Sequence, residues 1–270
     1  MKKILFLTIL VIVSVSLVCC VNKKEQKENS KEQVINNKKT FKALVLTERG
    51  GQHGSFTDEA IKWLDAFSRG NNFEYTEINN TEKINEDFLS RYAVIIQLDY
   101  PPYTWTKDAE TAFIDYIENG KGGWVGFHHA TLLGEFDGYP LWKWFSDFMG
   151  GIRFKNYIAQ LASATVYLED TDHPVMKGVH DSFLIPNDEW YTFDKSPREN
   201  VHVLARVDES SYQPESDIKM GDHPAIWTNP KMKARNVYFL MGHANSLFAS
   251  EDFKTMFANA ILWAANTNNQ

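Results

Sequence analysis

The run Ala93–Leu98 (AVIIQL) constrains this chain more than any other feature. A near-continuous apolar run of that length suits a strand covered on both faces, and such strands belong to parallel sheets sandwiched by helices. Similar runs occur at Phe41–Thr47 (FKALVLT), Phe73–Ile78, Gly122–His128 (GGWVGFH) and Asn236–Met241 (NVYFLM). Segments of helical period lie between them. Ile61, Trp63, Leu64 and Phe67 share one face after a cap at Thr57 or Asp58. Ala109, Phe113, Ile114 and Ile117 share another, ending at Gly120 as C-cap. The alternation predicts an α/β, doubly wound, mostly parallel sheet with helices on both faces. The second half is less regular. It predicts a helix over Leu141–Met149, strands over Leu161–Leu168 and Val201–Val207, and a closing helix over Glu251–Ala265. Loops are expected around His173-Pro174 and over Pro186–Phe193, and no internal repeat is present.

The N-terminus reads as an address. Lys2 and Lys3 precede an apolar run, Ile4–Val18, that is short of the roughly 20 residues of a bilayer span. Leu17-Val18-Cys19-Cys20 resembles a lipobox, with Cys20 in the register for lipidation. Residues 1–20 are therefore expected to be a lipoprotein signal peptide, and 21–40, rich in Lys, Glu, Gln and Asn, a flexible tether. The expected location is a membrane-anchored lipoprotein, periplasmic or at the cell surface. Residues 41–270 are left as one folded domain.

Cys19 and Cys20 are the only cysteines, so the folded part holds no disulfide, thiolate metal site or cysteine nucleophile. Without Lys2 and Lys3 the formal charge moves from −7 to about −9. An acidic chain with no basic cluster excludes a nucleic-acid partner. Tryptophan is abundant (Trp105, Trp124, Trp142, Trp144, Trp190, Trp227), which serves a core first and sugar stacking second.

Ligands of open parallel sheets bind beyond the carboxyl ends of strands, at the switch in strand order. Glu48 and His53 follow the first strand, Asp99 the third, His128 and His129 the fourth, and His243 the last. Adjacent strand residues point to opposite faces, so one of His128 and His129 is expected in the crevice, and His128 is preferred. His173 and His223 precede proline and suit turns, and His180 and His202 suit ordinary surface or strand positions. Asp99, before Tyr100-Pro101-Pro102, serves either a turn or a ligand.

Five segments, in this order, resemble the ThuA-like (trehalose-utilisation-like) family: Ala43–His53 (ALVLTERGGQH), Gly122–His128 (GGWVGFH), Asp188–Phe193 (DEWYTF), His223–Thr228 (HPAIWT) and Asn236–His243 (NVYFLMGH). The resemblance spans nearly all of 41–265. It implies a flavodoxin-like fold of the class I glutamine-amidotransferase-like superfamily. It also carries the family's polar positions onto His53, His128, Glu189, Tyr191 and His243. Glu48-Arg49 departs from the small residues that family members often have there, which alters the pocket mouth.

Amidotransferases of this fold place a cysteine on the elbow after the strand. Here the elbow presents His128, so that activity is excluded. No G-x-S-x-G, Walker or G-x-G-x-x-G pattern occurs either. Two chemistries remain. His53, His128 and His243, with Glu189, would bind a divalent metal such as zinc. Alternatively a neutral histidine acts as base without metal, with a carboxylate and a tyrosine as partners. The expected catalytic residues are His128, Glu189 and Tyr191, and the expected substrate contacts are His53, Asp99 and Trp227. The resemblance implies a carbohydrate ligand, either for an enzyme acting on a glycoside or keto-sugar or for a non-catalytic sugar-binding lipoprotein. The sequence does not set the oligomeric state.

Overall fold

A computed structural model describes residues 40–265. The expected signal peptide, Cys20 and nearly all of the tether lie outside the described residues. No described helix is long and apolar enough to cross a membrane.

Among the described residues, eleven strands and five α-helices follow in chain order. The strands are β1 (Lys42–Leu46), β2 (Glu74–Ile78), β3 (Val94–Gln97), β4 (Gly123–Phe127), β5 (Phe154–Tyr157), β6 (Ala162–Leu168), β7 (Ser182–Asp188), β8 (Tyr191–Phe193), β9 (His202–Val207), β10 (Pro224–Thr228) and β11 (Asn236–Phe239). The helices are α1 (Gly54–Gly70), α2 (Glu86–Leu89), α3 (Lys107–Glu118), α4 (Lys143–Phe148) and α5 (Glu251–Ala264). Nine strands form one sheet in the order β2-β1-β3-β4-β11-β10-β9-β6-β7, and β5 pairs with β8 apart from it.

Parallel pairing holds from β2 through β1, β3 and β4 to β11. From β11 outward every pairing is antiparallel, through β10, β9 and β6 to β7. Four successive reversals leave β7 running in the same sense as β11. Its carboxyl end therefore opens on the same edge as those of the parallel strands.

Both faces of the parallel half are covered. Phe127 of β4 packs on Phe56 of α1 and on Phe257 of α5. On the other face Trp124 meets Phe145 and Phe148 of α4. The Trp124 indole lies over Gly126, where an added Cβ would come within 2.0 Å of the ring. The indole N–H donates to Gln97 Oε1 at 3.1 Å, and Gln97 Nε2 donates to the Tyr100 carbonyl at 2.7 Å. The one polar residue in the apolar β3 run is thereby satisfied.

Several boundaries differ from expectation. Helix α1 begins at Gly54 with His53 as N-cap and no side-chain cap, not at Thr57 or Asp58. Thr57 is buried within the first turns, and Asp58 pairs with Arg49 instead. Helix α3 is capped at Asn119, one residue before the expected Gly120, which follows at φ 66°. Pro186–Phe193, expected as a loop, holds the end of β7 and all of β8.

Candidate active site

Four side chains meet at the carboxyl edge of the sheet: His53 after β1, His128 after β4, Glu189 after β7 and His243 after β11. One potential ligand atom from each lies within 4.8 Å of all the others, and all four residues are buried. This group could hold a metal ion.

The backbone around His128 is built for that placement. His128 adopts φ 28°, a left-handed conformation that breaks the strand at Phe127. Gly242 lies against it. A Cβ there would sit 3.0 Å from the Cβ atoms of both His128 and Phe127, and Gly242 itself has φ 151°. The glycine of the MGH segment is thus required for the β4 and β11 ends to approach each other. The turn at His128 also corrects the expectation that only one of the paired histidines faces the crevice. Strand alternation no longer applies there, and both reach it. The His53 ring centroid lies 5.1 Å from that of His128 and 4.3 Å from that of His129. His243 is 4.7 Å from His53.

Hydrogen bonding fixes the polarity of the site. His128 Nδ1 lies 2.9 Å from the Leu240 carbonyl, which can only accept. Nδ1 therefore carries a hydrogen. In the neutral ring, Nε2 then turns a lone pair toward Glu189 Oε2 at 3.1 Å. Two acceptors at that separation need a cation between them, either a proton or a metal ion. Glu189 Oε2 is also 3.5 Å from His243 Nδ1. Both nitrogens of buried His53 and Nδ1 of His243 lack hydrogen-bond partners among the protein groups. A buried set of unpaired nitrogen donors around one carboxylate is what a divalent ion would satisfy. His129 differs: its Nδ1 donates to the Asp99 carbonyl at 2.8 Å.

Titration follows from the same contacts. Burial would raise the Glu189 carboxyl, but the close His128 contact and the charge of His128 and His243 outweigh it and bring it down to about 2. Burial, with His128, His129 and His243 adding repulsion, pushes His53 strongly down. Burial lowers His129 to about 4 against the opposing Asp99 carbonyl. For His243 burial acts downward, yet Glu189 wins and the net shift is upward. The Tyr191 hydroxyl is pushed up by burial and by Glu189, so it stays protonated and serves as a donor. The Tyr191 ring lies on His128 with centroids 3.9 Å apart.

Asp188 locks the arrangement from below. It accepts backbone N–H groups of Gly242, His243 and Ala244 at 2.9–3.0 Å, which fixes the loop bearing His243. Burial pushes this carboxyl up, opposed by nearby His128 and by the Gly242 and Ala244 N–H groups. A second buried pair holds β8. His223 Nε2 donates to the Tyr191 carbonyl at 2.9 Å, while its Nδ1 meets Glu209 Oε1 at 2.8 Å. His223 is therefore a buried positioning residue, more than the turn residue that its proline neighbour implies.

A cavity of ≈ 370 Å³ opens onto the group, with Glu48, His129, Phe154, Tyr157 and Tyr191 among its lining residues. Glu48 hangs from Asp99, whose Oδ1 accepts the Glu48 N–H at 2.7 Å. Burial and Asp99 together raise the Glu48 carboxyl.

His53, His128, Glu189, Tyr191 and His243 are thus brought together. Two expected substrate contacts are not. Trp227 is 1% exposed and packs on Tyr238 and Phe193 in the core, away from the cavity lining. Asp99 is fully buried and works through Glu48 and His129. The entry of His129 alongside His128, and the Asp188 lock, are what sequence reasoning misses. No sequence signal marks a positive φ at His128, although the DEWYTF segment does contain Asp188.

The family described as ThuA, trehalose utilisation, matches residues 42–264. A protein described as ThuA-like from Bacteroides uniformis is 31% identical, with a TM-score of 0.74 over 84% of this chain and 91% of its own. Another, from Parabacteroides merdae, is 19% identical with a TM-score of 0.64 over 86% and 92%, and shares the fold. Comparison with curated proteins gives no match. With a match that runs from the first strand to the last helix, the chain belongs to the ThuA family.

Proposed function

We propose that this protein is a carbohydrate-processing enzyme that holds a divalent metal such as zinc on His53, His128, His243 and Glu189. One observation carries the reading. The hydrogen of His128 is committed to Leu240, so its remaining lone pair and Glu189 Oε2 face each other at 3.1 Å beside partnerless His53 and His243 nitrogens. The family's description as trehalose utilisation supports carbohydrate as the ligand.

When bound, such an ion would polarise a sugar oxygen or activate water. The chain's own residues have separate tasks. Leu240 orients His128, and Asp188 orients His243 through the backbone. Tyr191 presents a hydroxyl that remains a donor. Glu48, raised by burial, lines the same cavity as the depressed Glu189. Two carboxylates driven apart in this way suit an acid and a counter-charge. Attachment to a membrane through Cys20 is proposed alongside, and incorporation of labelled palmitate, lost in Cys20→Ala, tests it.

Elemental analysis of the purified full-length protein tests the metal. The expected result is near-stoichiometric zinc or another divalent ion, lost in His128→Ala and His243→Ala. No metal in any preparation, including one supplied with zinc, would overturn the reading and leave metal-free acid/base chemistry or plain sugar binding.

A further inference from the structure

Four protein ligands are one more than a reacting zinc centre uses. Structural zinc sites are closed by four side chains, whereas catalytic ones keep three and leave a position for water or substrate. His53, His128, Glu189 and His243, each with one potential ligand atom within 4.8 Å of the others, would close the centre. An enzyme built on them therefore needs one member that can leave. The surroundings of the four residues differ enough to identify it.

Three of the four are held to one another and to the scaffold. Glu189 Oε2 lies 3.1 Å from His128 Nε2 and 3.5 Å from His243 Nδ1. His128 is oriented at its other nitrogen by the Leu240 carbonyl, the kind of partner that ordinarily fixes a metal-ligating histidine. The backbone N–H of His243 is fixed by Asp188, the residue directly before Glu189. Gly242, next to His243, packs so closely on β4 that an added Cβ would sit 3.0 Å from the Cβ atoms of His128 and Phe127.

His53 lacks such supports. Both of its ring nitrogens are buried without a hydrogen-bond partner among the protein groups, although the ring touches those of His128, His129 and His243. Its backbone is also the least packed of the four. His53 ends the loop after β1, in which Glu48, Arg49, Gly51 and Gln52 are exposed. An added Cβ at Gly50 or Gly51 would meet nothing nearer than Glu48, at 3.7 and 4.0 Å, and one at Gly54 would meet nothing within 4 Å. Arg49 pins the start of the loop to Glu77 and Asp58, and α1 takes over at Gly54. Freedom is thereby confined to Gly50, Gly51, Gln52 and His53, with two glycines to supply it.

We propose that His53 is the exchangeable member of the centre: at rest it completes the ligand set, and an incoming ligand oxygen takes the place that it gives up. His128, His243 and Glu189 remain. Two imidazoles and one carboxylate are a donor set that catalytic zinc uses with its fourth position open. The number of ligands stays at four through the exchange. Glu48 lines the same cavity as His53 and is the carboxylate there outside the ligand set, an acceptor for the freed imidazole. The inference rests on the metal reading of the site and deepens it.

Cobalt(II) tests the exchange, because its visible absorption follows the number and kind of its ligands. Affinity of the full-length protein for zinc and cobalt is measured by competition with a chromophoric chelator. His53→Ala should keep near-stoichiometric metal with affinity lower by less than about tenfold, while His128→Ala should lose more than about a hundredfold, the most that a residue behind a ligand costs. The cobalt spectrum of His53→Ala should differ from that of the unsubstituted protein and return toward it when imidazole is added. Acetohydroxamate, an oxygen ligand, should change the spectrum of the unsubstituted protein and bind His53→Ala about tenfold more tightly, since no histidine has to leave. His53→Gln takes the place of the alanine variant if that one does not fold. Metal lost from His53→Ala as fully as from His128→Ala would overturn the inference and make His53 a fixed ligand. A cobalt spectrum that the substitution leaves unchanged would overturn it as well, since His53 would then be no ligand at rest. Equal acetohydroxamate affinity with and without His53 would do the same. Those three results leave the metal centre standing, whereas an unsubstituted protein that binds neither zinc nor cobalt would overturn the metal reading and the exchange together.

Discussion

The two halves of the sheet contribute to the site in different ways. The parallel half, from β2 to β11, supplies three histidines from the loops beyond β1, β4 and β11. These follow from topology, because parallel strands deliver their carboxyl ends to one edge. The antiparallel half supplies the only carboxylate among the four, Glu189, together with the Asp188 lock, and the chain that leaves it forms β8 with the Tyr191 ring. It does so at the end of β7, the outermost strand, whose direction is restored by an even number of reversals. One half thus presents nitrogen ligands, and the other presents the carboxylate that organises them.

Cutting the link between the halves should have the largest effect. Asp188→Ala leaves the N–H groups of Gly242, His243 and Ala244 buried without an acceptor. The expected loss is about 3–5 kcal/mol, since each orphaned buried donor costs about 1–3 kcal/mol and the losses are not additive. Urea denaturation measures it. Metal affinity should fall as well, because the loop that aims His243 is released. A loss under about 1 kcal/mol would mean that the parallel half holds its own edge without help.

Acid should have a smaller effect, directed mainly at the histidine side. Burial lowers His129 to about 4 and pushes His53 lower still, so the folded state resists protonation where the unfolded chain accepts it. Between about pH 6.5 and 4 the unfolded state binds more protons. Stability of the metal-free protein should therefore fall as pH drops through that window. Glu189, depressed to about 2, stabilises the fold above the ordinary carboxylate range, and its contribution disappears only below that range. His243, raised by Glu189, acts in the opposite sense, since its contribution is lost as pH rises through its folded pKa. The net expectation is a melting temperature lower by several degrees at pH 4.5 than at pH 7. A flat profile would mean that the histidines are not held neutral by burial.

The halves also differ in how much of them the sequence discloses. In the parallel half, AVIIQL and NVYFLM lack alternation because both faces are covered, and they sit at β3 and β11 as expected. In β7, Phe183 and Ile185 point inward while Leu184 is exposed, so SFLIPND hides its period of two behind an outward leucine. Pro186 then reads as a loop. β10 opens with proline and carries register shifts against β9, and β8 has only three residues. Three of the site's four candidate ligands were legible as histidines after strands. Glu189 was legible as a carboxylate of an expected loop or turn and through the DEWYTF segment, but not as a strand end, because its strand was not. His129 was hidden by a backbone angle that no side-chain pattern encodes.

Trp227 gives the smallest and most discriminating test, because it lies on β10, next to β11 at the boundary of the halves. Its indole N–H is buried without a partner among the protein groups, and its ring rests on Tyr238 at 4.4 Å. Trp227→Phe removes that unsatisfied donor and keeps an aromatic ring there, while giving up some packed area. The two effects oppose each other at about 1–3 kcal/mol each, so the net change should fall within about 1 kcal/mol. Affinity for trehalose, measured by calorimetric titration, should not move, since the residue lines no part of the cavity. A tenfold loss of affinity with unchanged stability would return Trp227 to the ligand, which would require the boundary between the halves to open when the sugar binds.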